Sequence, residues 1–246
     1  PLISRSSVSR DPCVPAPGDQ VTISCDINDN SSVVSAEIVY SVNNESSQSV
    51  GMTNTGGASW SGTIPATNSD GARMNYYIQA VDDGVDQDGV ESGTYPFDSS
   101  LNQLGYITKT GDLSISDVQY TEWSSGDSPF DGCEVMVTGI VTAGDEVYGA
   151  DGIYAIQSES GAWNGIIFDG WEGAQFTLGD EVTVTGTVEE YDPVWHYRWD
   201  NNTKLINVTN STVNSSGNSV LPVAVTTANL VEESNVVDSY EGCLVT

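Results

Sequence analysis

The chain has 246 residues, enough for one large or two ordinary domains, and its 35 acidic against 6 basic residues give a formal net charge of −29. A chain this acidic repels phosphate backbones and anionic lipids, which argues against binding to nucleic acid or to a membrane surface. No apolar run is long enough to predict a membrane span. The excess acid indicates either adaptation to salty water and solubility or the binding of calcium.

Short segments of alternating apolar and polar residues run through the first half of the chain. Residues 1–14 are read as an irregular lead-in that contains prolines. Period-2 alternation then predicts strands, and segments rich in Gly, Asn and Asp, such as 53–57, predict turns. The predicted strands are 21–25, 34–42, 49–52, 58–64 and 73–81. Strands at this spacing are typical of an immunoglobulin-like β-sandwich.

The pattern changes between 98 and 112, which places a boundary near residue 108 and predicts domains 1–108 and 109–246. The second domain has predicted strands at 132–142, 153–157, 165–168, 179–188 and 204–208. Gly139 and Gly186 inside two of them suggest the bends of a small OB-like β-barrel. The Asn/Ser/Thr-rich stretch 201–216 has the composition of a polar loop. The fold class is therefore all-β, a sandwich followed by a barrel.

Both halves resemble modules of secreted bacterial proteins. Residues 10–96 resemble immunoglobulin- or fibronectin-like modules, through Pro17-Gly18-Asp19, Thr63-Ile64-Pro65-Ala66 and Tyr76-Tyr77-Ile78. Residues 113–246 resemble the OB-like domain found beside extracellular nucleases, through Gly139-Ile140-Val141-Thr142, Gly179-Asp180 and Tyr240-Glu241-Gly242. The resemblance implies an extracellular protein, anchored at the outer cell surface, in which any catalytic domain lies elsewhere.

Four cysteines are present, and neither their spacing nor the lone His196 predicts a zinc site. An even number in a chain that looks secreted predicts two disulfides. Because each pair then falls within one predicted domain, we expect Cys13–Cys25 and Cys133–Cys243. Four free, buried thiols are the alternative.

Two acidic loops of the first domain are candidate calcium sites. In a sandwich of this kind, the loop after the second strand and the loop before the last strand lie at the same end. Their carboxylate and amide oxygens are ligands that calcium prefers. The alternative is that both loops are ordinary solvated turns. The predicted ligands are Asp26, Asn28, Asp29, Asp82, Asp83, Asp86 and Asp88.

An aromatic set in the second domain is the candidate binding surface. Exposed rings on an OB barrel stack on bases or sugars, but this half carries too few basic residues to favour nucleic acid. Carbohydrate, a protein–protein contact and simple burial remain as alternatives. The predicted binding residues are Trp163, Trp171, Trp195, His196, Tyr197 and Trp199.

No catalytic motif is recognisable, because no Gly-x-Ser-x-Gly elbow occurs and no pair of carboxylates is marked by its spacing. We therefore expect a non-enzymatic structural or adhesion protein of a bacterial surface, which self-associates into filaments or a layer or binds other surface proteins. The alternative is an accessory module of a larger secreted hydrolase, binding carbohydrate or another polymer. Because the chain begins at Pro1, we expect a processed or excised piece of a longer protein.

Overall fold

The computed structural model describes residues 1–85, 89, 91–144, 152–170, 175–190, 202–230 and 236–246. The protein is all-β, with 46% of the described residues in strands and 7% in helices. It divides into unit 1, Pro1–Thr110, and unit 2, Gly111–Thr246. Among the described residues, no helix has the length and apolar character needed to cross a membrane.

Unit 1 consists of two five-stranded sheets. One has the order β1-β3-β7-β6, with β2 also paired to β3, and the other has the order β10-β8-β4-β5, with β9 also paired to β8. A short 3₁₀ turn, Arg5–Ser7, separates the first two strands. The strands are β1 (Leu2–Ile3), β2 (Ser9–Asp11), β3 (Val21–Asn28), β4 (Val33–Val42), β5 (Gln48–Gly51), β6 (Thr53–Gly56), β7 (Ser59–Ile64), β8 (Arg73–Asp82), β9 (Ser92–Tyr95) and β10 (Leu104–Ile107).

The inner faces of the two sheets share one hydrophobic core, which explains the alternation seen in the sequence. Every second residue of β3 is buried, and the same period runs along β4 and β8. Ile23, Ile38, Ile64 and Ile78 are inaccessible to solvent within this core. The five strands predicted for this half are confirmed because each presents an apolar face to the opposite sheet.

The prediction of an irregular lead-in at residues 1–14 is wrong, because β1 and β2 both pair antiparallel with β3. Arg10 fixes β2 in place. Its guanidinium donates to the carbonyl oxygens of Cys13 and Gly105 and lies 5.2 Å from the centre of the Tyr106 ring. Burial lowers the pKa of Arg10. β1 has only two residues and β2 has three polar ones, so neither carries an alternation that a sequence pattern could detect.

The predicted turn at 53–57 is also wrong in part, because most of it forms β6. Thr53 and Asn54 pair with β7, and the chain reverses only at Gly56 and Gly57, whose φ angles are positive. All four residues of β6 are exposed at a sheet edge. A strand in that position needs no apolar side chain, so composition alone favoured a turn.

Unit 2 is built on a closed five-stranded barrel. Its strand order is β11-β12-β13-β15-β14, and only β13 and β15 are parallel among these described neighbours. The elements are α1 (Ile115–Gln119), β11 (Glu134–Ala143), β12 (Ile153–Gln157), β13 (Gly165–Asp169), β14 (Glu181–Glu189), β15 (Lys204–Ser215) and 3₁₀ turns at Thr227–Leu230 and Asp238–Tyr240.

Two features of this barrel bear on the sequence predictions. The register of β14 against β15 shifts between Thr185 and Thr187, which confirms an irregularity at Gly186. The predicted strand at 204–208 is confirmed, but the interpretation of the rest of the stretch 201–216 as a polar loop is wrong beyond residue 208, because β15 continues to Ser215. Its outer residues are Asn, Ser and Thr because they face solvent, and such a strand has the composition of a loop.

The disulfide pairing differs from the prediction. Cys13 and Cys133 are disulfide-bonded, whereas Cys25 and Cys243 are free thiols, so the predicted pairs Cys13–Cys25 and Cys133–Cys243 are both wrong. Cys25 faces the core of unit 1, where burial raises the pKa of its thiol to about 11. Pairing depends on a Cα separation of about 4.4–6.8 Å, which proximity along the chain does not ensure.

Candidate functional site

The predicted calcium ligands of the first loop have structural contacts of their own. Asp26 lies inside β3, where its Oδ1 accepts a hydrogen bond of 2.7 Å from the Ser59 hydroxyl. Its backbone N–H donates to the Ser7 hydroxyl. Asn28 is exposed at the end of β3. Asp26 therefore lies in a strand and links β3 to β7 through its side chain.

Asp29 is the carboxylate that belongs to the loop itself. Its Oδ1 accepts from both the backbone N–H and the hydroxyl of Ser31, and its Oδ2 lies 2.8 Å from the amino group of Pro1. Hydrogen bonds from the Pro1 amino group and from Ser31 lower the pKa of Asp29 to about 2. Both oxygens of this carboxylate have partners in the folded protein.

The second predicted loop begins at Asp82, the last residue of β8. Asp82 lies opposite Val33 in the ladder, and the Asp83 N–H donates to the Ser32 carbonyl over 3.0 Å. The start of this loop therefore touches the loop after β3. Asp86 and Asp88 lie outside the described residues. Within the described ones, no group of three or more His, Cys, Asp or Glu side chains is arranged to hold a metal ion.

An open cavity of about 340 Å³ lies at this end of unit 1. Its walls are mainly hydroxyl, amide and backbone groups, and the one aromatic lining residue, Trp60, is almost wholly buried. The ring therefore offers no face for stacking, and the groove suits water or a hydrated ion better than an apolar ligand. The lining residues are Ile27, Asn28, Asp29, Ser31, Ser32, Val33, Asn54, Gly57, Ala58 and Trp60.

Only one member of the predicted aromatic set is described. Trp163 lies half-buried between β12 and β13, in a left-handed conformation with φ of 67°. Its ring meets the ring of Tyr120 edge-on, with centroids 5.6 Å apart, and Tyr120 is more than one-third exposed. The remaining predicted binding residues, Trp171, Trp195, His196, Tyr197 and Trp199, lie outside the described residues.

Two carboxylates that the sequence did not single out meet at one threonine of the barrel. Glu190 is 1% exposed, and its Oε1 accepts from the Ser128 N–H at 2.8 Å and from the Thr203 hydroxyl at 2.6 Å. Glu241 accepts from the Thr203 backbone N–H at 2.9 Å. Thr203 therefore brings the two carboxylates close together.

Burial governs the ionisation of this pair. Burial is the main cause, and together with the negative charge of Asp127 it raises the pKa of Glu190 to about 9 and that of Glu241 to about 8. The hydrogen bonds from Thr203 act in the opposite direction but are weaker. Burial also raises the pKa of Asp238. At neutral pH the buried pair therefore holds protons.

One sequence signal pointed to Glu190. The alternation that buries Val182, Val184 and Val188 continues one step beyond β14, and Glu190 occupies that inward position. A carboxylate at an apolar position of a strand pattern marks a buried, perturbed acid. Glu241 had no such signal, because its burial depends on the chain returning to the barrel.

Comparison with known proteins gives no family. No protein-family model matches the chain, and no curated protein matches it.

Solved structures share only a distant likeness. An uncharacterised protein of Listeria monocytogenes, crystallised with glucose, magnesium and calcium, is 10% identical with a TM-score of 0.30, and the match covers 74% of this chain and 12% of that one. A family 64 laminaripentaose-producing β-1,3-glucanase of Paenibacillus barengoltzii, complexed with laminarihexaose, is 14% identical with a TM-score of 0.28, and the match covers 78% of this chain and 49% of the other. The chain thus spans less than half of either protein, and neither score supports an inference about function.

Proposed function

We propose that this chain is a non-enzymatic extracellular structural or adhesion protein of a bacterial cell surface, which assembles with further copies of itself through an open sheet edge of unit 1. A disulfide indicates an extracellular or otherwise oxidising environment. The observation that carries the proposal is that β5, the edge strand of one sheet, carries no charge, and neither does β6, the edge strand of the other sheet. Other surface proteins are the alternative partners of the same edge.

We propose a more specific fold assignment for each unit. We assign unit 1 to the immunoglobulin-like sandwiches and unit 2 to the OB-like barrels of the type found beside extracellular nucleases. Two sheets around one core support the first assignment. A closed barrel of five strands, in which β15 returns between β13 and β14, supports the second.

The distribution of charge distinguishes this edge from the rest of the surface. No charged residue lies between Glu45 and Asp70, although the whole chain carries a net charge of −29. Two copies of so acidic a chain repel each other in most orientations. The electrostatic repulsion is smallest where an uncharged edge of one copy meets that of the other. Natural proteins usually protect a sheet edge with charges or proline, and β5 and β6 carry neither.

The backbone of β5 has hydrogen-bonding groups available on its outer side. β5 is the last strand of its sheet in the described part of the chain. The Met52 N–H donates to Ala36, and Ile38 lies opposite Val50, so Met52, Val50 and Gln48 form the hydrogen-bonded pairs with β4. The N–H and C=O of Ser49 then point away from β4, as strand addition requires.

A proline at position 49 tests the proposal. We expect Ser49→Pro to weaken self-association roughly ten-fold, because it removes the outward N–H but no hydrogen bond to β4. Ser49→Ala keeps that N–H and should assemble like the wild type. Sedimentation velocity over a wide concentration range, with negative-stain electron microscopy, measures the effect. A wild-type protein that stays monomeric throughout contradicts the proposal, as does equal behaviour of the two variants.

The second candidate function is the binding of carbohydrate or another polymer as an accessory module of a larger secreted hydrolase. The Tyr120–Trp163 pair favours it, because partly exposed rings at the barrel surface can stack on sugars. It requires no contact between copies and is therefore separable from self-association.

Trp163→Asn tests this second function. Asparagine tolerates the left-handed backbone of position 163, so the variant should fold while losing the ring. We expect it to lose roughly ten-fold in affinity for any soluble glycan that shifts the tryptophan fluorescence of the wild type. Trp60→Phe, a change in the buried core of unit 1, serves as the control and should bind unchanged. If no glycan in a broad panel shifts the wild-type spectrum, this function is withdrawn.

A further inference from the structure

The carboxylate of Asp82 closes the neck of an acidic loop. Its Oδ1 accepts from the Gly84 N–H at 3.0 Å and from the Glu91 N–H at 2.9 Å, so one oxygen ties together the two ends of the segment 83–91. The Asp82 N–H also donates to the Glu91 carbonyl. The carboxylate therefore lies within the loop and not on the outer surface of the sheet.

The second oxygen of this carboxylate has no hydrogen-bond partner among the described residues. Asp82 is 2% exposed, and Oδ2 receives no donor from the described part of the chain. Burying an anionic oxygen without a donor or a cation costs several kcal/mol in proteins. Asp180 illustrates how a buried carboxylate is usually stabilised, because one of its oxygens accepts a hydrogen bond from Ser216 and the other accepts one from Thr177. The exception at Asp82 indicates that something else neutralises this oxygen.

The composition around the loop points to a cation supplied from solution. No Lys, Arg or His lies between Arg73 and Lys109, whereas Asp83 and Glu91 add to the negative charge at the ends of the loop. Oxygen ligands without nitrogen or sulfur favour calcium over transition metals. The Asp83 N–H bond to Ser32 holds the neighbouring loop against the same neck.

We propose that Asp82 Oδ2 is a ligand to a calcium ion, which fixes the 82–91 loop at this end of unit 1. The inference goes beyond self-association and is independent of it. It rests on Asp82 alone, because Asp86 and Asp88 lie outside the described residues. Water from solution can supply further oxygen ligands to the ion.

Calcium titration of wild type and Asp82→Asn tests the proposal. We expect millimolar calcium to raise the melting temperature of the wild type by several degrees and to leave the variant unchanged. In the presence of chelator, the variant should be at least as stable as the wild type, because the amide removes a buried, unpaired charge. A variant that matches the wild type in melting temperature with chelator, but falls below it with calcium, is also shown to fold.

Asp98→Asn is the matched control, because Asp98 also accepts from backbone and hydroxyl groups in a loop of the same unit but is exposed. It removes the same charge and should respond to calcium like the wild type. Isothermal titration should give one site in the wild type and in Asp98→Asn, with affinity at least ten-fold lower in Asp82→Asn. Equal calcium effects in all three proteins would mean adventitious binding to an acidic surface and would overturn the proposal. The absence of any calcium effect in the wild type would overturn it too.

Discussion

Replacing Glu190 with glutamine should raise the free energy of unfolding by about 2–3 kcal/mol near pH 8.5 and change it little near pH 5. The Glu190 Oε1 accepts hydrogen bonds from Ser128 and Thr203, and the amide oxygen of glutamine can accept both. The substitution therefore removes little except the charge, which burial and the nearby Asp127 and Glu241 carboxylates disfavour.

The direction of the pH dependence follows from the pKa of Glu190, which rises from 4.5 to about 9 on folding. Between these values the folded protein binds the proton more tightly than the unfolded chain, so stability falls as pH rises. Below pH 4.5 the carboxyl is protonated in both the folded and the unfolded state. Above about pH 9 it is ionised in both states, and stability falls no further. Glu241, with a pKa of about 8, acts in the same direction. Asp29, with a pKa of about 2, contributes stability that is lost only as the pH falls toward that value.

Urea unfolding of the full chain near both pH values, with chelator present, measures the effect. Glu189→Gln is the control, because the Glu189 side chain is 32% exposed and pairs with Lys204 at 3.1 Å on the surface of the barrel. It should change the free energy of unfolding by less than about 1 kcal/mol at either pH. If Glu190→Gln differs from the wild type by the same amount at both pH values, the Glu190 carboxyl is ionised throughout and our account of the buried pair is wrong.

Strands with one buried face could be predicted from the sequence, and strands without one could not. β8 alternates through Met74, Tyr76, Ile78 and Ala80 because these side chains fill the core. β2 and β6 lie at edges and bury almost nothing, so their residues are those of turns. β2 and β6 are strands because they form backbone hydrogen bonds with β3 and β7. A local sequence pattern does not show that pairing.

The candidate sites also differ in whether a local sequence pattern could reveal them. Asp82 could be selected from the sequence because it begins a run of acids after a strong strand. The meeting of Glu190 and Glu241 at Thr203 depends on closure of the barrel and on the return of the chain, neither of which a local pattern records. The disulfide pairing was mispredicted for this reason too, because closeness along the chain does not decide which cysteines are bonded and which stay free.

The close approach of the 240–246 segment to β13 leads to a second large expected effect. A Cβ at Gly165 would lie 2.3 Å from the Gly242 carbonyl carbon and 2.5 Å from the Cys243 nitrogen. These are backbone atoms, which cannot rotate away as a side chain can. The same segment is held by the Leu244 N–H, which donates to the Gln157 Oε1 at 2.8 Å.

Gly165→Ala should therefore lower the free energy of unfolding by about 3 kcal/mol and displace residues 240–246, because β13 is fixed within the barrel and the segment is not. Hydrogen exchange should show faster exchange at the Leu244 and Thr246 amides, whose partners are Gln157 and Val223, with little change in β14. Gly51→Ala is the control, because a Cβ there meets nothing within 4 Å. Unchanged exchange at Leu244 and Thr246 in a Gly165→Ala protein of wild-type stability would mean that the segment does not pack against β13 in solution.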